Sequence, residues 1–218
     1  VSVTIEDGSL AAMVGPNGAG KSTFVKAVSG VLPPAAGEVH VGDEDLTGLP
    51  PHQIVRRGLA YVPQVQNVFQ SLNVVENLEM GAFTRKTRVR ERISEVLDIF
   101  PDLASATSTK AGNLSGGQQN MLGMARALML DPRVMILDEP TAGLSPAYTQ
   151  IVWDQIARIT KTGTAALVVE QNVDRALANA DYVYVLVTGT NYTEGPSAQV
   201  AALDLAAIFL GRAVGTPS

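Results

Sequence analysis

The chain has 218 residues, of which 46% are hydrophobic and 17% charged, a balance typical of a globular protein with a substantial core. It has no cysteine and only two histidines, which excludes disulfide frameworks, thiolate nucleophiles and cysteine-ligated metal sites and argues against a histidine-rich site. Its formal net charge of −5 argues against a protein whose main task is to grip nucleic-acid phosphates, so we expect no nucleic-acid partner.

Neither a membrane-spanning helix nor a secretory leader is expected in this sequence. The longer stretches without charge, such as Gly8–Gly20, are interrupted by glycine, proline or asparagine before they reach the roughly 20 apolar residues that cross a bilayer. The start at Val1 lacks a basic residue followed by an apolar run and a cleavage site, so a cytoplasmic location is the default expectation. The missing initiator methionine suggests that upstream residues are absent.

The first third of the chain predicts a buried strand that leads through a glycine-rich turn into a helix. Val1–Ile5 alternates apolar and polar residues and Leu10–Val14 is a short apolar run, which together predict a hairpin feeding a buried strand. After the glycine-rich turn, Lys21–Val31 has the apolar spacing of a helix. Further short strands are predicted at Val39–Val41 and Leu59–Val62.

The pattern changes in the middle of the chain, where helices are predicted. Asn73 and Glu76 have the spacing of a capping box ahead of an apolar run, and Val89–Phe100 is amphipathic. After Pro132, apolar strand-like runs alternate again with helical stretches. These strands are predicted at Val134–Leu137, Ala165–Val169 and Tyr182–Val187, and the helices near Tyr148–Thr160 and Val173–Ala178.

This order of elements predicts an α/β fold. Alternating strands and helices imply a mostly parallel sheet that is wrapped by helices. We expect a core with such a sheet, a short antiparallel β portion at its start and a helical insertion in its middle. The core is assigned to residues 1–67 and 131–218, and the helical part to residues 68–130.

The strongest local motif lies between the first buried strand and the first helix. It fits the pattern G-x-x-x-x-G-K-[ST], whose glycines let backbone N–H groups converge on phosphates at the positive end of a helix. Lys21 supplies a point charge to the outer phosphates, and the Ser22 hydroxyl can ligate Mg²⁺. A chance glycine-rich turn is the alternative, which the strand–helix context disfavours. The residues assigned to nucleotide binding are Gly15, Pro16, Asn17, Gly18, Ala19, Gly20, Lys21, Ser22 and Thr23.

Two acidic residues follow the apolar run Val134–Leu137. Asp138 and Glu139 are expected at the carboxyl end of a strand, the edge at which open α/β sheets bind ligands. Asp138 is assigned to Mg²⁺ and its waters, and Glu139 to polarising the water that attacks a γ-phosphorus in line. Alone, such a pair is more often a solvated strand end, but its combination with the phosphate loop favours a functional role.

A third motif, Leu114–Gln118, reads Leu-Ser-Gly-Gly-Gln and precedes a helix. Ser115 and Gln118 have capping-box spacing, so free N–H groups and a serine hydroxyl are expected to face outward. From capping alone, a well-capped helix without further function is the favoured interpretation.

Together these motifs resemble those of the nucleotide-binding subunits of ATP-binding-cassette transporters, which are P-loop NTPases. Leu114–Gln118 is similar to their signature loop, Gly15–Ser22 to their phosphate loop, and Val134–Glu139 to their Mg²⁺ and catalytic-base segment. Gln64, in the sequence Tyr-Val-Pro-Gln, is similar to their Q-loop glutamine. The resemblance runs from the start of the chain to about Gly211, with the motifs in the right order and spacing.

Finer features are similar to the branched-chain amino-acid uptake branch, specifically to the smaller of its two ATPase types. Close relatives that import urea, short amides or other amino acids share much of this sequence, so the solute stays open at this point. The segments that carry the likeness are Val68–Leu78, Gly143–Pro146, Val168–Asn172 and Phe209–Gly211.

The resemblance implies an ATPase that works as a head-to-tail dimer with an identical or a paralogous subunit. Each ATP would lie between the phosphate loop of one subunit and the signature loop of the other, so that the third phosphate controls closure. The signature-loop residues assigned to this contact are Ser115, Gly116, Gly117 and Gln118.

The resemblance also implies the catalytic set and the partners. Gln64 would contact Mg²⁺ and the attacking water, and would act with Glu139 and Gln171 in catalysis. The helical part would dock on integral membrane permease subunits at the cytoplasmic face of the membrane. An extracytoplasmic solute-binding protein would be an indirect partner.

Four positions depart from the family pattern. Gln171 stands where a histidine usually contacts the γ-phosphate; an amide can donate that hydrogen bond but cannot take a charge. The amino-acid importer branch tends to have Gln there, which favours an active site. Ser145 replaces a common aspartate and could weaken communication between the two ATP sites, and Asn120 replaces a frequent Gln or Arg. Val1–Val14 contains no aromatic residue on which adenine could stack, which we attribute to a truncated start.

Two other functions stay open beside ATP-driven import. A soluble ATPase of the same fold would act on DNA, ribosomes or metal-cluster assembly, but neither a coiled-coil insertion nor a basic stripe supports it. A regulatory subunit that binds nucleotide and hardly hydrolyses it is suggested by Gln171 and Ser145.

Overall fold

The computed structural model describes residues 1–65 and 67–209, which form a six-stranded sheet, a two-stranded sheet and surrounding helices. The strands are β1 (Leu10–Val14), β2 (His40–Val41), β3 (Glu44–Asp45), β4 (Leu59–Val62), β5 (Val134–Asp138), β6 (Ala165–Glu170), β7 (Tyr182–Val187) and β8 (Thr190–Pro196). The large sheet has the order β4-β5-β6-β1-β7-β8, and only its last pair is antiparallel. The predicted α/β fold with a mostly parallel sheet is therefore confirmed.

Helices cover both faces of this sheet. They are α1 (Lys21–Val28), α2 (Pro51–Arg56), α3 (Val74–Gly81), α4 (Val89–Ile99), α5 (Pro101–Ala104), α6 (Gly116–Leu128), α7 (Pro146–Thr160), α8 (Val173–Asn179), α9 (Ser197–Val200) and α10 (Leu205–Phe209). One face packs against α6, α7 and α8 around the fully buried Trp153 and Phe100. The other face packs against Val25 of α1 and Ile54 of α2. The parallel strands are therefore buried on both faces, which agrees with their near-continuous apolar sequences.

The register of the parallel strands brings three loops to one edge of the sheet. Val14 of β1 lies beside Glu170 of β6, and Asp138 of β5 lies beside Val169 of β6. The loops that follow β1, β5 and β6 therefore start side by side. These are the loops that carry the phosphate-loop motif, Glu139 and Gln171, while Asp138 is the last residue of β5.

The insertion between β4 and β5 is helical, as its sequence predicted. It contains α3, α4, α5, a short 3₁₀ turn at Ala111–Asn113 and α6. The predicted capping box of Asn73 and Glu76 is confirmed, because the Asn73 side chain accepts from the Glu76 N–H and Glu76 accepts from the Asn73 N–H. Gly81 allows α3 to cross α6 closely, since a Cβ there would collide with the Arg126 carbonyl oxygen. The division at residues 67 and 130 stays a prediction.

Two predictions about strands were wrong or incomplete. Val1–Ile5 is not part of a hairpin: its backbone is held by side chains, with the Thr4 N–H donating to the Tyr184 hydroxyl at 2.9 Å. The start of the chain therefore lacks the predicted strand pairing, and the small antiparallel pair is β2 with β3. Strand β8 was not predicted, although Thr188 and Gly189, both with positive φ, form the two-residue turn typical of a hairpin.

Candidate functional site

The loop after β1 is shaped to present backbone N–H groups. Gly15 passes so close to β7 that a Cβ there would collide with the carbonyl oxygen of Leu186. Gly18 and Gly20 have φ of 80° and 99°, which L side chains rarely adopt, and Gly20 is the N-cap of α1. Gly20 has no side chain with which to cap α1. The first N–H groups of α1 therefore point out of the helix without a side-chain acceptor, as an anion site requires.

Lys21 lies inside this loop rather than in solvent. Only 6% of the residue is exposed, and its Nζ donates to the carbonyl oxygens of Gly15 at 2.7 Å and Pro16 at 3.2 Å. Burial lowers the pKa of the Lys21 ammonium, and the nearby charges of Glu139 and Asp138 oppose that shift. The ammonium thus lies between the loop and the two carboxylates.

The remaining loop residues surround this position. Ala19 is buried and its N–H donates to the Pro16 carbonyl at 3.1 Å, which closes the turn. The side chains of Asn17, Ser22 and Thr23 are exposed, the last two on the first turn of α1. The predicted nucleotide-binding residues of this segment therefore lie together in the loop after β1 and the first turn of α1.

Asp138 and Glu139 stand at the end of β5, next to this loop. Asp138 accepts a hydrogen bond from the Tyr61 hydroxyl at 3.1 Å. Burial raises the pKa of Asp138, and this hydrogen bond opposes the shift. Burial and the same carboxylate raise the pKa of Tyr61 to about 12, so the hydroxyl keeps its proton at neutral pH. Sequence reasoning did not identify Tyr61.

Glu139 is held between two amide side chains. Its Oε2 accepts from the Gln64 Nε2 at 3.1 Å, and its Oε1 accepts from the Gln171 Nε2 at 2.7 Å. Its backbone has φ of 47°, unusual for a glutamate, and its N–H donates to the Val169 carbonyl of β6. The three residues assigned to catalysis therefore meet, although they come from the loops after β4, β5 and β6.

The buried carboxylate of Glu170 accepts a hydrogen bond from the backbone of Gln171. Glu170 is buried, accepts from the Thr141 hydroxyl at 2.6 Å and accepts from the Gln171 N–H at 3.2 Å. Burial raises the pKa of Glu170, and the hydrogen bond from Thr141 opposes the shift. Thr141, which sequence reasoning missed, follows Asp138 by three residues and so links the loop after β5 to the loop after β6. The one feature of the sequence that pointed to Thr141 was its hydroxyl, two residues after the acidic pair.

Ser115–Gln118 forms a separate turn at the start of α6, in which Ser115 and Gly116 are exposed. The predicted capping box is confirmed: Ser115 Oγ accepts from the Gln118 N–H at 3.3 Å, and the Ser115 N–H donates to Gln118 Oε1 at 3.0 Å. Gly117 packs against α7, where a Cβ would collide with the Tyr148 ring, and Gly116 faces open space. No hydrogen bond among the described residues joins this turn to the loop after β1.

The motifs and their arrangement can be set beside known proteins. A family model described as ABC transporter matches residues 1–142, more than half of the chain. The chain belongs to the ABC transporter family. It is an ATP-binding chain that hydrolyses ATP, as the resemblance of its motifs implied.

Individual relatives agree with this assignment. The probable branched-chain amino acid transport ATP-binding protein LivF of Archaeoglobus fulgidus is 45% identical over 191 residues, which are 87% of this chain and 81% of the relative. The high-affinity branched-chain amino acid transport ATP-binding protein BraG of Pseudomonas aeruginosa is 40% identical over 190 residues, 87% and 82% of the two chains. The solved ADP conformation of an ATP-binding cassette of an ABC transporter has a TM-score of 0.88 at 26% identity, over 99% of this chain and 91% of that one.

The positions that depart from the ABC pattern have defined contacts. Gln171 donates to Glu139 and so retains a hydrogen-bonding role. Ser145 Oγ is the N-cap of α7 and accepts from the Tyr148 N–H at 3.4 Å. Asn120 of α6 donates to the Pro140 carbonyl at 3.1 Å, which connects α6 to the loop that carries Glu139. In the segment Phe209–Gly211, Leu210 and Gly211 lie outside the described residues.

We expect Gln171→His to give ATP hydrolysis a pH dependence that the amide does not impose. An imidazole, with an ordinary pKa of about 6.5, would become a cation beside the Glu139 carboxylate as the pH falls and would make this carboxylate, the residue expected to polarise the attacking water, less basic. The hydrolysis rate of the variant relative to the wild type should therefore fall between about pH 8 and about pH 6. Steady-state phosphate release measures it.

Gln199→His, a change on the exposed side of α9, serves as the matched control and should keep a constant ratio to the wild type. A constant ratio for Gln171→His as well would contradict the placement of residue 171 beside the base.

Proposed function

We propose that the chain is the ATP-hydrolysing subunit of an importer for branched-chain or related amino acids, and that it drives transport through separate membrane subunits. The observation that carries the hydrolytic part is Glu139 held between Gln64 and Gln171, beside the loop that contains Lys21. The solute class rests on two relatives that are named as branched-chain amino acid transport ATP-binding proteins and that align with 87% of this chain.

In the proposed reaction, Glu139 is the general base. Its carboxylate polarises a water for in-line attack on the γ-phosphorus, and the two amides fix its orientation without competing for the proton, because neither amide titrates. Lys21 and the N–H groups of the loop after β1 hold the phosphates. Gln171 thus hydrogen-bonds to Glu139 and orients it without carrying the charge that a histidine can take. This contact favours an active enzyme over a regulatory subunit that hardly hydrolyses ATP.

Ser22, Asp138 and Gln64 would hold Mg²⁺ in this site. They offer a hydroxyl, a carboxylate and an amide oxygen, which are the hard oxygen donors that Mg²⁺ prefers. Within residues 1–65 and 67–209, no three His, Cys, Asp or Glu side chains form a metal cluster by themselves. That sparse donor set fits Mg²⁺, which binds through one or two carboxylates together with substrate phosphates and water. When bound, the ion neutralises charge on the β- and γ-phosphate oxygens.

The turn Ser115–Gln118 contacts the nucleotide of a second subunit in the proposed dimer. Ser115 and Gly116 are exposed and Gln118 is half-buried, and in the described part of the chain no hydrogen bond links this turn to the phosphate loop. The turn leads into the 13-residue helix α6. The N–H groups and the partial positive charge at the start of this helix favour the binding of a phosphate. We therefore place the turn against the γ-phosphate held by an opposing copy or a paralogue, in a head-to-tail dimer that opens after hydrolysis.

The surface for the membrane subunits is an apolar groove between β4, α3 and α6, of about 360 Å³. Phe69, Met80 and Phe83 line it and are exposed, and the Arg126 guanidinium carbon lies 5.0 Å from the centroid of the Phe69 ring. Exposed apolar patches of this kind mark interaction sites. A short amphipathic helix of a permease subunit, with a carboxylate for Arg126, would fit this surface.

This groove is connected to the base. Pro63 lines the groove, and Gln64, the next residue, donates to Glu139. A permease helix in the groove would therefore contact the segment that orients the base. Among the described residues no helix is long and apolar enough to cross a bilayer. Docking at this groove would hold the subunit at the cytoplasmic face of the membrane, with an extracytoplasmic solute-binding protein as an indirect partner.

We expect vesicles that carry the assembled complex, with ATP on the side of this subunit, to take up leucine, isoleucine or valine from its binding protein. Ser115→Arg should abolish both uptake and ATP hydrolysis, because the bulky side chain would block the opposing γ-phosphate. Ser115→Asp should do the same by charge while keeping an oxygen that can cap α6. Labelled amino-acid uptake and phosphate release are the two measurements.

Ser108→Arg, an exposed serine of the same helical segment, is the control and should behave as the wild type. Full hydrolysis by both Ser115 variants would contradict the dimer. Hydrolysis by the complete wild-type complex without uptake of any branched-chain or related amino acid would contradict the solute class.

We expect Phe83→Asp to weaken docking without changing the isolated subunit. Phe83 is 61% exposed, so a polar replacement costs little stability, whereas burying a carboxylate in an apolar interface is unfavourable. Affinity for the permease subunits should fall on the order of ten-fold or more, as measured by co-purification from detergent. Tyr192→Asp, at the opposite edge of the sheet, is the matched control. Equal recovery of wild type and Phe83→Asp would exclude the groove.

A further inference from the structure

Tyr61 makes a hydrogen bond through its hydroxyl in addition to the packing of its ring. The residue lies on β4 in register with Ile136 of β5, and Asp138 follows Ile136 by two residues on the same face of that strand. Its ring packs against the buried cluster of that face, and its hydroxyl reaches forward to donate to Asp138 Oδ2 at 3.1 Å. The ring and the hydroxyl therefore have separable roles.

One short segment of the chain contacts both carboxylates of the acidic pair. Tyr61 donates to Asp138, and Gln64, three residues later, donates to Glu139. Each carboxylate thus has one oxygen fixed from the β4 side. For Asp138 the other oxygen, Oδ1, accepts no hydrogen bond from the residues that the structure describes.

We propose that Tyr61 is a positioning residue for the metal-binding carboxylate: its hydroxyl fixes Oδ2 of Asp138 and so leaves Oδ1 oriented for Mg²⁺. This inference rests on the proposed assignment of Mg²⁺ to Ser22, Asp138 and Gln64. A carboxylate with one oxygen held cannot rotate freely, so less orientational freedom is lost when the ion binds. Phenylalanine would fill the same space but would leave Asp138 without this donor.

The test is Tyr61→Phe in the purified subunit, with binding of a fluorescent ATP analogue as the readout. Binding is measured in EDTA and then along a Mg²⁺ titration, so that nucleotide and metal contributions are separated without any turnover. We expect affinity in EDTA to be unchanged, because the loop after β1 is untouched. The Mg²⁺ concentration at half-maximal enhancement should rise on the order of ten-fold, the size expected for losing a hydrogen bond to a charged group.

Tyr192→Phe, which removes a hydroxyl from an exposed tyrosine on β8, is the matched control and should leave the titration unchanged. An unchanged Mg²⁺ midpoint in Tyr61→Phe would overturn the proposal. An equal loss of affinity in EDTA and in Mg²⁺ would also overturn it, because the hydroxyl would then serve the fold and not the metal.

The outcome for the wild type separates this inference from the one on which it rests. If wild-type binding responds to Mg²⁺ and Tyr61→Phe does so with the same midpoint, only the role of Tyr61 fails. If wild-type binding does not respond to Mg²⁺, the metal assignment of Asp138 fails and the role of Tyr61 fails with it.

Discussion

The site depends on the parallel register of β5, β6 and β1. Because parallel strands end at the same edge, Val14, Asp138 and Glu170 are neighbours, and the loops after them start together. That one constraint brings the N–H groups of the phosphate loop, the acidic pair and Gln171 to one edge of the sheet, where the proposed function places a single triphosphate. Apart from Tyr61, Asp138 and Glu170, the residues of β1, β4, β5 and β6 are apolar; their near-continuous apolar sequences keep both faces of the parallel strands buried and so keep the edge fixed.

On this edge, the side-chain network gives Glu139 a defined environment. Two neutral amides hold its oxygens, and Glu170 with Thr141 holds the backbone that carries one of those amides. Gln64 follows the groove lining and Gln171 follows β6, so Glu139, which we propose as the base, is hydrogen-bonded to a segment on either side of it. In the proposed function, docking at the groove would be coupled to hydrolysis through Gln64, which follows the groove residue Pro63 and contacts Glu139.

Sequence patterns were sufficient where local chemistry determines structure. The glycine loop, both capping boxes and the buried strands are local features, and the structure contains them. The contacts of Gln64 and Tyr61 were beyond such reasoning, because they join positions more than 70 residues apart. The wrong hairpin at Val1–Ile5 has the same origin, since alternation indicates a strand but does not supply a neighbouring strand to pair with.

The most direct measurement for the central claim compares Glu139→Gln with the wild type. If the carboxylate is the base, the variant should bind ATP with unchanged affinity and hydrolyse it at least about 100-fold more slowly, because general-base catalysis contributes at least that factor. Glu79→Gln, an exposed glutamate on α3, controls for the loss of a charge and should hydrolyse ATP at the wild-type rate. Wild-type turnover by Glu139→Gln would contradict the account.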